Sequence, residues 1–419
     1  KAILFKRFAD IDSIDLEIDS SDANEIINCI SSLGKSFGGI NLEDIAAPDC
    51  FIIEQKLKEK VDIPIFHDDQ HGTAIITLAA LINALDISKK SMKDIKVVIS
   101  GAGASSIACT NLIKSSGVPN QNIIMLDRKG VLYKGRDNLN QWKSSHAIET
   151  KLRTLKEAIK GADVFLGFST KNVLTKDMVK TMAKNPIIFA CANPDPEINP
   201  EEVHEVRDDA IVATGRSDYP NQVNNLIGFP YIFRGALDVR ATKINEEMKM
   251  AAVKALSRLA KEPVPEQVNL AYNETRLTFG RDYIIPKPFD PRLIAEVPPA
   301  VAKAAIESGV AKEPIEDWDR YKNALLERLG SDNKLVRQLL GRARTNPKRV
   351  VFAEADQLDV LKAAQKANLN VPILVATDEE AISKIVKKEG GEAILTKKSH
   401  KSGSDRINEA INIYDPKKK

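Results

Sequence analysis

Lys96-Val-Val-Ile-Ser-Gly-Ala-Gly-Ala-Ser-Ser106, continuing into Ile107-Ala-Cys-Thr-Asn-Leu-Ile113, decides the fold. The apolar centre of Lys96 to Ser100 predicts a buried strand, and Ile107 to Ile113 predicts a helix. Between them Gly101, Ala102, Gly103, Ala104 and Ser105 form a turn of small residues, with Ser106 where a third glycine is usual. A strand before and a helix after make such a turn a dinucleotide site, because backbone N–H groups at a helix start face the pyrophosphate. Ile123-Ile-Met-Leu126 predicts the next strand and ends in Asp127. That acid lies about 20 residues on, where a carboxylate reads the ribose 2′-hydroxyl. Arg128 and Lys129 follow and could neutralise a 2′-phosphate instead, so NAD and NADP both stay open.

The alternation continues downstream. Leu155 to Ala162 predicts a helix, and Asp163–Phe168, Pro186–Cys191 and Ile211–Thr214 predict strands. Each strand ends in polar residues: Ser169-Thr170, then Asn193, then the run from Gly215 to Asn225. Strands alternating with helices specify an α/β fold with a doubly wound parallel sheet, and ligands bind at the carboxyl ends of its strands. Asn193 and Asn225 fall on that edge, where an amide can bond a substrate carboxylate or hydroxyl, or the nicotinamide carboxamide. Asn is equally a turn former.

Upstream, Ile63-Pro-Ile-Phe-His-Asp-Asp-Gln-His-Gly-Thr-Ala74 reads as a short buried strand that delivers Asp68 and Asp69 to its carboxyl edge. Glu43 and Asp44 close the Gly-Gly-Ile-Asn-Leu run in the same manner. Four acids at one point repel unless a hard cation sits between them, and all-oxygen ligation suits Mg²⁺ or Mn²⁺. The plainer alternative is two solvated loops. Lys1 to Phe8 predicts a strand or a helix start, and Ile11 to Ile18 alternates like a half-buried strand. Ser20-Ser-Asp-Ala predicts a helix cap, Phe51 to Leu57 a helix, Gly72 to Leu85 an apolar helix, and Asn245 to Leu259 an amphipathic one. His67 and His71 flank the Asp pair in structural roles, while His146, His204 and His400 are expected at the surface.

The 419 residues allow two or three domains. A partition follows: 1–70, part of a smaller α/β substrate and metal domain; 71–310, a Rossmann-like NAD(P)-binding domain; 311–330, a charged linker; 331–419, the start of a second α/β domain. In this last part Lys334 to Arg344 predicts a basic helix, and Val350–Ala353 and Val371–Val375 predict strands. A net charge of +3 without a basic block argues against nucleic acid as partner. No apolar run is expected to reach membrane-span length. Cys29, Cys50, Cys109 and Cys191 lack paired spacing and read as reduced thiols of a cytoplasmic protein.

Together, Asn41-Leu-Glu-Asp44, Phe66-His-Asp-Asp-Gln-His-Gly-Thr-Ala74, Ser100-Gly-Ala-Gly103, Asn193-Pro194 and Ser217-Asp-Tyr-Pro-Asn-Gln-Val-Asn-Asn225 resemble the bacterial malic enzymes, from residue 1 to about 310. The likeness is to the long form fused to a phosphate-acetyltransferase-like domain, whose opening Asn346-Pro-Lys-Arg-Val-Val-Phe-Ala-Glu354 resembles. The resemblance implies oxidative decarboxylation of malate to pyruvate and CO₂ with reduction of NAD or NADP, in a homo-oligomer of two or more subunits. It makes Glu43, Asp44 and Asp69 the metal ligands. It places Lys1, followed by Ala-Ile-Leu-Phe5, in the position of the catalytic lysine, lowered in pKa by burial and held by Asp68. Asn193 and Asn225 would contact malate. In the family the general-acid tyrosine precedes that lysine, and the transferase-like part continues past the length present here. A chain that binds cofactor and metal but turns over poorly is therefore expected, the alternative being a truncated remnant that only binds them.

Overall fold

Val97–Ser100, Ile123–Asp127, Val164–Gly167, Ile187–Ala190 and Ile211–Thr214 are apolar almost throughout, the pattern of strands covered on both faces. The computed structural model describes residues 1–274, 276–328, 374–388, 392–400 and 403–414. Numbered from the amino end, with β1 at Ile40–Leu42, β2 at Ile65–His67 and β5 at Gly130–Val131, these five segments are β3, β4, β6, β7 and β8. They form a sheet of order β5-β4-β3-β6-β7-β8, parallel except for β5. The order reverses at β3, which pairs with β4 on one side and β6 on the other, so the carboxyl ends there open a crevice.

Five helices precede or follow the first strands: α1 Ala2–Ala9, α2 Ala23–Leu33, α3 Asp49–Lys60, α4 Thr73–Ser88 and α5 Ala104–Ser115. Residues 1–8 are thus helical rather than extended. α2 is capped by Asp22, which accepts from the N–H groups of Asn24 and Glu25 at 2.7 and 3.0 Å. Ile27, Ile30, Leu42, Ile53, Leu57 and Ile65 give α2, α3, β1 and β2 a small core of their own.

α4 is apolar on every side because it runs through the main core, against α5 and the helix Glu246–Lys261. Its buried Asn83 is fully used: Nδ2 donates to the carbonyls of Ser257 and Ile284 at 3.0 and 2.8 Å, and Oδ1 accepts from Ser257 Oγ at 2.8 Å. With the turn before it, α4 makes 21 residues of mean hydropathy 1.3, so a run of membrane-span length does occur, contrary to expectation. Two-thirds of it (67%) is buried inside the protein, which is the behaviour of a core helix.

Two other expectations change. Ile11 to Ile18 forms no strand, and Ile14 and Leu16 are 67% and 54% exposed. Alternation alone makes no strand where no neighbouring backbone pairs with it. His146 is buried rather than superficial, with Nδ1 accepting from Lys114 Nζ at 2.8 Å.

The chain divides into two units, Lys1–Asp332 and Asn333–Lys419. In the second, strands Leu374–Thr377 and Glu392–Leu395 pair in parallel around the helix Glu380–Lys388, and the helix Gly403–Tyr414 follows. The helix expected at 334–344 and the strand expected at 350–353 lie outside the described residues.

Between β7 and β8, Arg207 braces the loop by donating to the carbonyls of Met182 and Ala183 at 3.1 and 2.7 Å. Asp209 accepts from Arg207 Nε and Nη2 at 2.7 and 2.8 Å and from the Asn185 N–H at 2.6 Å. The Arg207 guanidinium holds the Asp209 carboxyl well below the usual carboxylate range. A depressed carboxyl adds stability that is complete above its unfolded pKa of about 4 and is lost as pH falls through the folded value. Asp209→Asn is expected to cost about 1 kcal/mol at neutral pH in chemical denaturation, with the gap to the parent closing below about pH 4. A gap that stays constant with pH would contradict this account.

Candidate active site at the carboxyl edge of the sheet

β2 ends at His67, and the chain makes one π-type turn, Asp68–Gly72, before entering α4. The turn buries Asp68 completely. Position 72 must be glycine, because a Cβ there would lie 1.9 Å from Asp68 Oδ1. Lys1 Nζ donates to Asp68 Oδ2 in a very short contact and lies 3.2 Å from Glu43 Oε1. Asn225 Nδ2 donates to Asp68 Oδ2 at 3.2 Å and to its carbonyl at 3.3 Å, and Asn225 Oδ1 accepts from Thr73 Oγ1 at 3.2 Å. Lys1 is placed by α1, whose Phe5 meets Phe229 and Phe233 edge-on at 4.8 and 5.2 Å. Its ammonium sits 4.1 Å from the Phe229 ring centre.

Burial pushes the Asp68 carboxyl up to about 6 against the pull of Lys1. Burial would also lower Lys1, but Asp68 and then Glu43 outweigh it and hold the ammonium above its ordinary value. This corrects the expected depressed lysine: carboxylates outnumber cations at this point, and the surplus keeps the proton on nitrogen.

β1 and β2 pair in parallel, with Leu42 opposite His67, so Glu43 and Asp44 emerge beside Asp68 and Asp69. The Asp44 N–H donates to Asp69 Oδ2 at 3.1 Å, and burial followed by the Asp69 charge raises the Glu43 carboxyl against Lys1. Asp68 Oδ1 is buried with no hydrogen-bond partner in the structure. Crowded carboxylates with an unsatisfied buried oxygen suit a hard dication in donor chemistry. Among the described residues, however, no three acids or other ligand side chains are drawn to ligation spacing, and it is the amide of Asp44 that meets Asp69.

At the glycine turn, Gly101 has φ +119°, and a Cβ there would lie 2.6 Å from the Phe168 carbonyl. At Gly103 an added Cβ would meet nothing within 4 Å, so the space in front of the α5 start is open. Ala102 packs on the small apolar cluster of Ile107 and Met125, and Ala104 opens α5. Ser105 Oγ donates to the Asp69 carbonyl at 2.8 Å, tying the glycine turn to the acid turn. Asp127, expected to be free for a ribose, is already occupied. Its Oδ1 accepts from the Lys129 N–H at 2.9 Å and Arg136 Nη2 at 2.6 Å, and its Oδ2 accepts from Lys143 Nζ at 3.1 Å. Burial would raise this carboxyl, but these donors, Arg136 foremost, hold it below its ordinary value. Arg128 stays exposed beside it.

A cavity of about 410 Å³ opens at the ends of β3, β6, β7 and β8, lined by Lys1, Asp69, Ser105, Ser169, Asn193 and Asn225 among others. Lys1, Asp68, Asp69, Asn225 and the glycine turn are thus brought to one place, with Asn193 on the same wall. Glu43 stands behind Lys1, and Asp127 and Arg128 lie outside the cavity lining.

A buried ionic chain behind this site is not legible in the sequence. His71 Nε2 donates to Glu54 at 2.7 Å, and Nδ1 accepts from Lys249 Nζ at 3.0 Å; Lys249 also bonds Glu246 at 2.7 Å. Burial, then the Lys249 charge, pushes His71 down to about 4, so the ring is neutral and donates through Nε2. The only hint is a charged residue within an apolar stretch, Glu54 after Ile53 and Lys249 after Met248.

Comparison with known proteins gives this geometry a family. The profile described as malic enzyme, NAD binding domain, matches residues 70–273. A profile described as cytidylyltransferase matches residues 359–419, a different description from the transferase expected there, while residues 346–354 lie outside the described structure. The NADP-dependent malic enzyme of Rhizobium meliloti is 58% identical over 394 residues, 93% of this chain. The chain spans about half (52%) of that relative's length. The NADP-dependent malic enzyme of Halomonas elongata is 57% identical over 314 residues, 75% of this chain and 74% of that protein. The crystal structure of the malic enzyme from Pyrococcus horikoshii superposes with a TM-score of 0.73 at 36% identity, covering 81% of this chain and 77% of the other. With the Halomonas elongata enzyme 57% identical and covered over 74% of its length, the chain belongs to the malic enzyme family.

Proposed function

We propose that the protein carrying this chain converts malate to pyruvate and CO₂ with reduction of NADP⁺, dependent on Mg²⁺ or Mn²⁺. The observation that carries this reading is the meeting of Lys1, Asp68 and Asn225 at a cavity whose wall includes Ser105 of the glycine turn. An alternative, a remnant that only binds cofactor and metal, gains nothing from the Rhizobium meliloti and Halomonas elongata relatives, which are named as malic enzymes.

Lys1 is the base for the malate hydroxyl, and Asp68 holds its nitrogen in place while Asn225 fixes Asp68. Asn193 presents its amide to a substrate carboxylate, and Asn225 would contact malate beside it while holding Asp68. Glu43, Asp44 and Asp69 would hold the dication. When bound, the nicotinamide supplies the hydride acceptor, and the dication supplies the positive charge that polarises the hydroxyl and stabilises the enolate left by decarboxylation. A dication held by Glu43 and Asp69 would offset their charge and leave Asp68 as the remaining counter-charge of Lys1.

Cofactor choice follows from charge at the end of β4. Arg128, Lys129, Arg136 and Lys143 surround the single carboxylate of Asp127, whose oxygens are already bonded. A 2′-phosphate suits that surplus better than a 2′-hydroxyl seeking an acceptor. Self-association fits the exposed Ile3, Ile14 and Leu16, and four free cysteines fit a cytoplasmic setting.

Malate-dependent reduction of NADP⁺ in the presence of Mn²⁺ is the measurement that tests the reading. Lys1→Ala and Asp68→Asn are each expected to lower kcat by about 10²-fold or more, a range typical of lost acid–base catalysis. Retention of full activity by both variants would remove Lys1 and Asp68 from the chemistry. A double Arg128→Ala, Lys143→Ala variant is expected to lower the NADP⁺ to NAD⁺ ratio of kcat/KM by about tenfold, as for the loss of one charge-assisted bond. An unchanged ratio would move the 2′-phosphate contact elsewhere.

A further inference from the structure

Behind the wall of the cavity lies a buried acid that has no cationic partner among the described residues. Glu197, in the loop after β7, is fully buried. Its Oε1 accepts from the Ser169 N–H at 2.9 Å and from Ser169 Oγ at 3.4 Å, and its Oε2 accepts from the Ala192 N–H at 3.0 Å. Ser169 Oγ also meets Ser100 Oγ at 2.9 Å, so this one carboxylate stitches together the ends of β3, β6 and β7. The neighbouring strand leaves it room only through glycine, since a Cβ at Gly167 would lie 2.3 Å from the Glu197 carboxyl carbon. Two backbone N–H groups and the Ser169 hydroxyl converge on its oxygens, a donor set that suits an ionised carboxylate, while burial pushes its pKa up.

A stitch needed only for stability would be cheaper without a charge, because a buried ion without a counter-charge loses its hydration uncompensated. The residues that solvate this one, Ser169 and Ala192, both line the cavity, next to Asn193. The proposed reaction requires the nicotinamide ring in that cavity, within reach of the carbon whose hydroxyl faces Lys1. The oxidised ring carries a positive charge and the reduced ring none. We infer that Glu197 is a positioning residue for the nicotinamide end of the cofactor, and that its fixed negative charge behind Ser169 and Ala192 favours the oxidised ring over the reduced one.

The inference rests on the reading that this cavity receives the dinucleotide. Dissociation constants for NADP⁺ and NADPH, measured by calorimetry on the unmodified protein and on Glu197→Gln and Glu197→Asp, separate the two. Glu197→Gln keeps the shape and removes the charge, and is expected to shift the ratio of the two constants toward NADPH by about tenfold. Glu197→Asp, which keeps the charge, is expected to retain most of the parent ratio. An unchanged ratio in Glu197→Gln, or an equal shift in Glu197→Asp, overturns the inference. If Glu197→Gln does not fold, the unmodified protein decides: tighter binding of NADP⁺ than of NADPH supports the inference, and equal or tighter binding of NADPH overturns it. Binding of neither nucleotide to the unmodified protein overturns the cofactor reading itself, and this inference with it.

Discussion

Asp68 is sealed from water yet must be balanced, because an isolated ionised carboxylate in a protein interior costs several kcal/mol. The balance comes from Lys1, delivered by α1, and from the Asn225 amide, delivered by the segment after β8. Neither partner is near Asp68 in sequence, so the pairing holds only if α1, the π-type turn and the loop after β8 are all correctly placed. The aromatic contacts of Phe5, the glycine at position 72 and the Thr73 hydroxyl each fix one of these supports. The site is a consequence of the fold meeting at one buried acid.

Much of this could be read before any coordinates. Strand-forming runs such as Val97–Ser100 and Ile187–Ala190 are buried on both faces and leave little choice of conformation, so periodicity and length were sufficient. The positions of Asp68 and Asn193 just past strand ends followed from the same logic, since parallel sheets gather their polar residues at one edge, whereas Asn225 reaches the site from a short turn well beyond β8. Residues 11–18 were not legible, because apolar alternation carries no information about whether a neighbouring strand exists to pair with it. Charge states were not legible either: the raised pKa of Lys1 depends on Glu43 and Asp68 arriving together, which is a tertiary fact. The same holds for Asp127, whose position suggests a ribose ligand while its neighbours Arg136 and Lys143 have claimed its oxygens.

The ionic chain through His71 joins three elements that otherwise share few contacts: α3, the π-type turn and the helix Glu246–Lys261. A neutral imidazole between an acid and an ammonium serves both through fixed roles, donor on one side and acceptor on the other. This chain makes the three elements answer to a single set of hydrogen bonds directly behind Asp68 and Asp69.

The turn that carries those acids also restricts how chain length can vary here. A regular helix advances about 100° per residue, so losing one residue from the wide turn would swing Asp68 and Asp69 by that angle about the axis of α4. Asp68 would leave its pocket, the Lys1 ammonium and the Asn225 amide that fix it. Insertions and deletions are therefore barred between His67 and Thr73, whereas the exposed stretch from Ile11 to Ile18 has slack to absorb them.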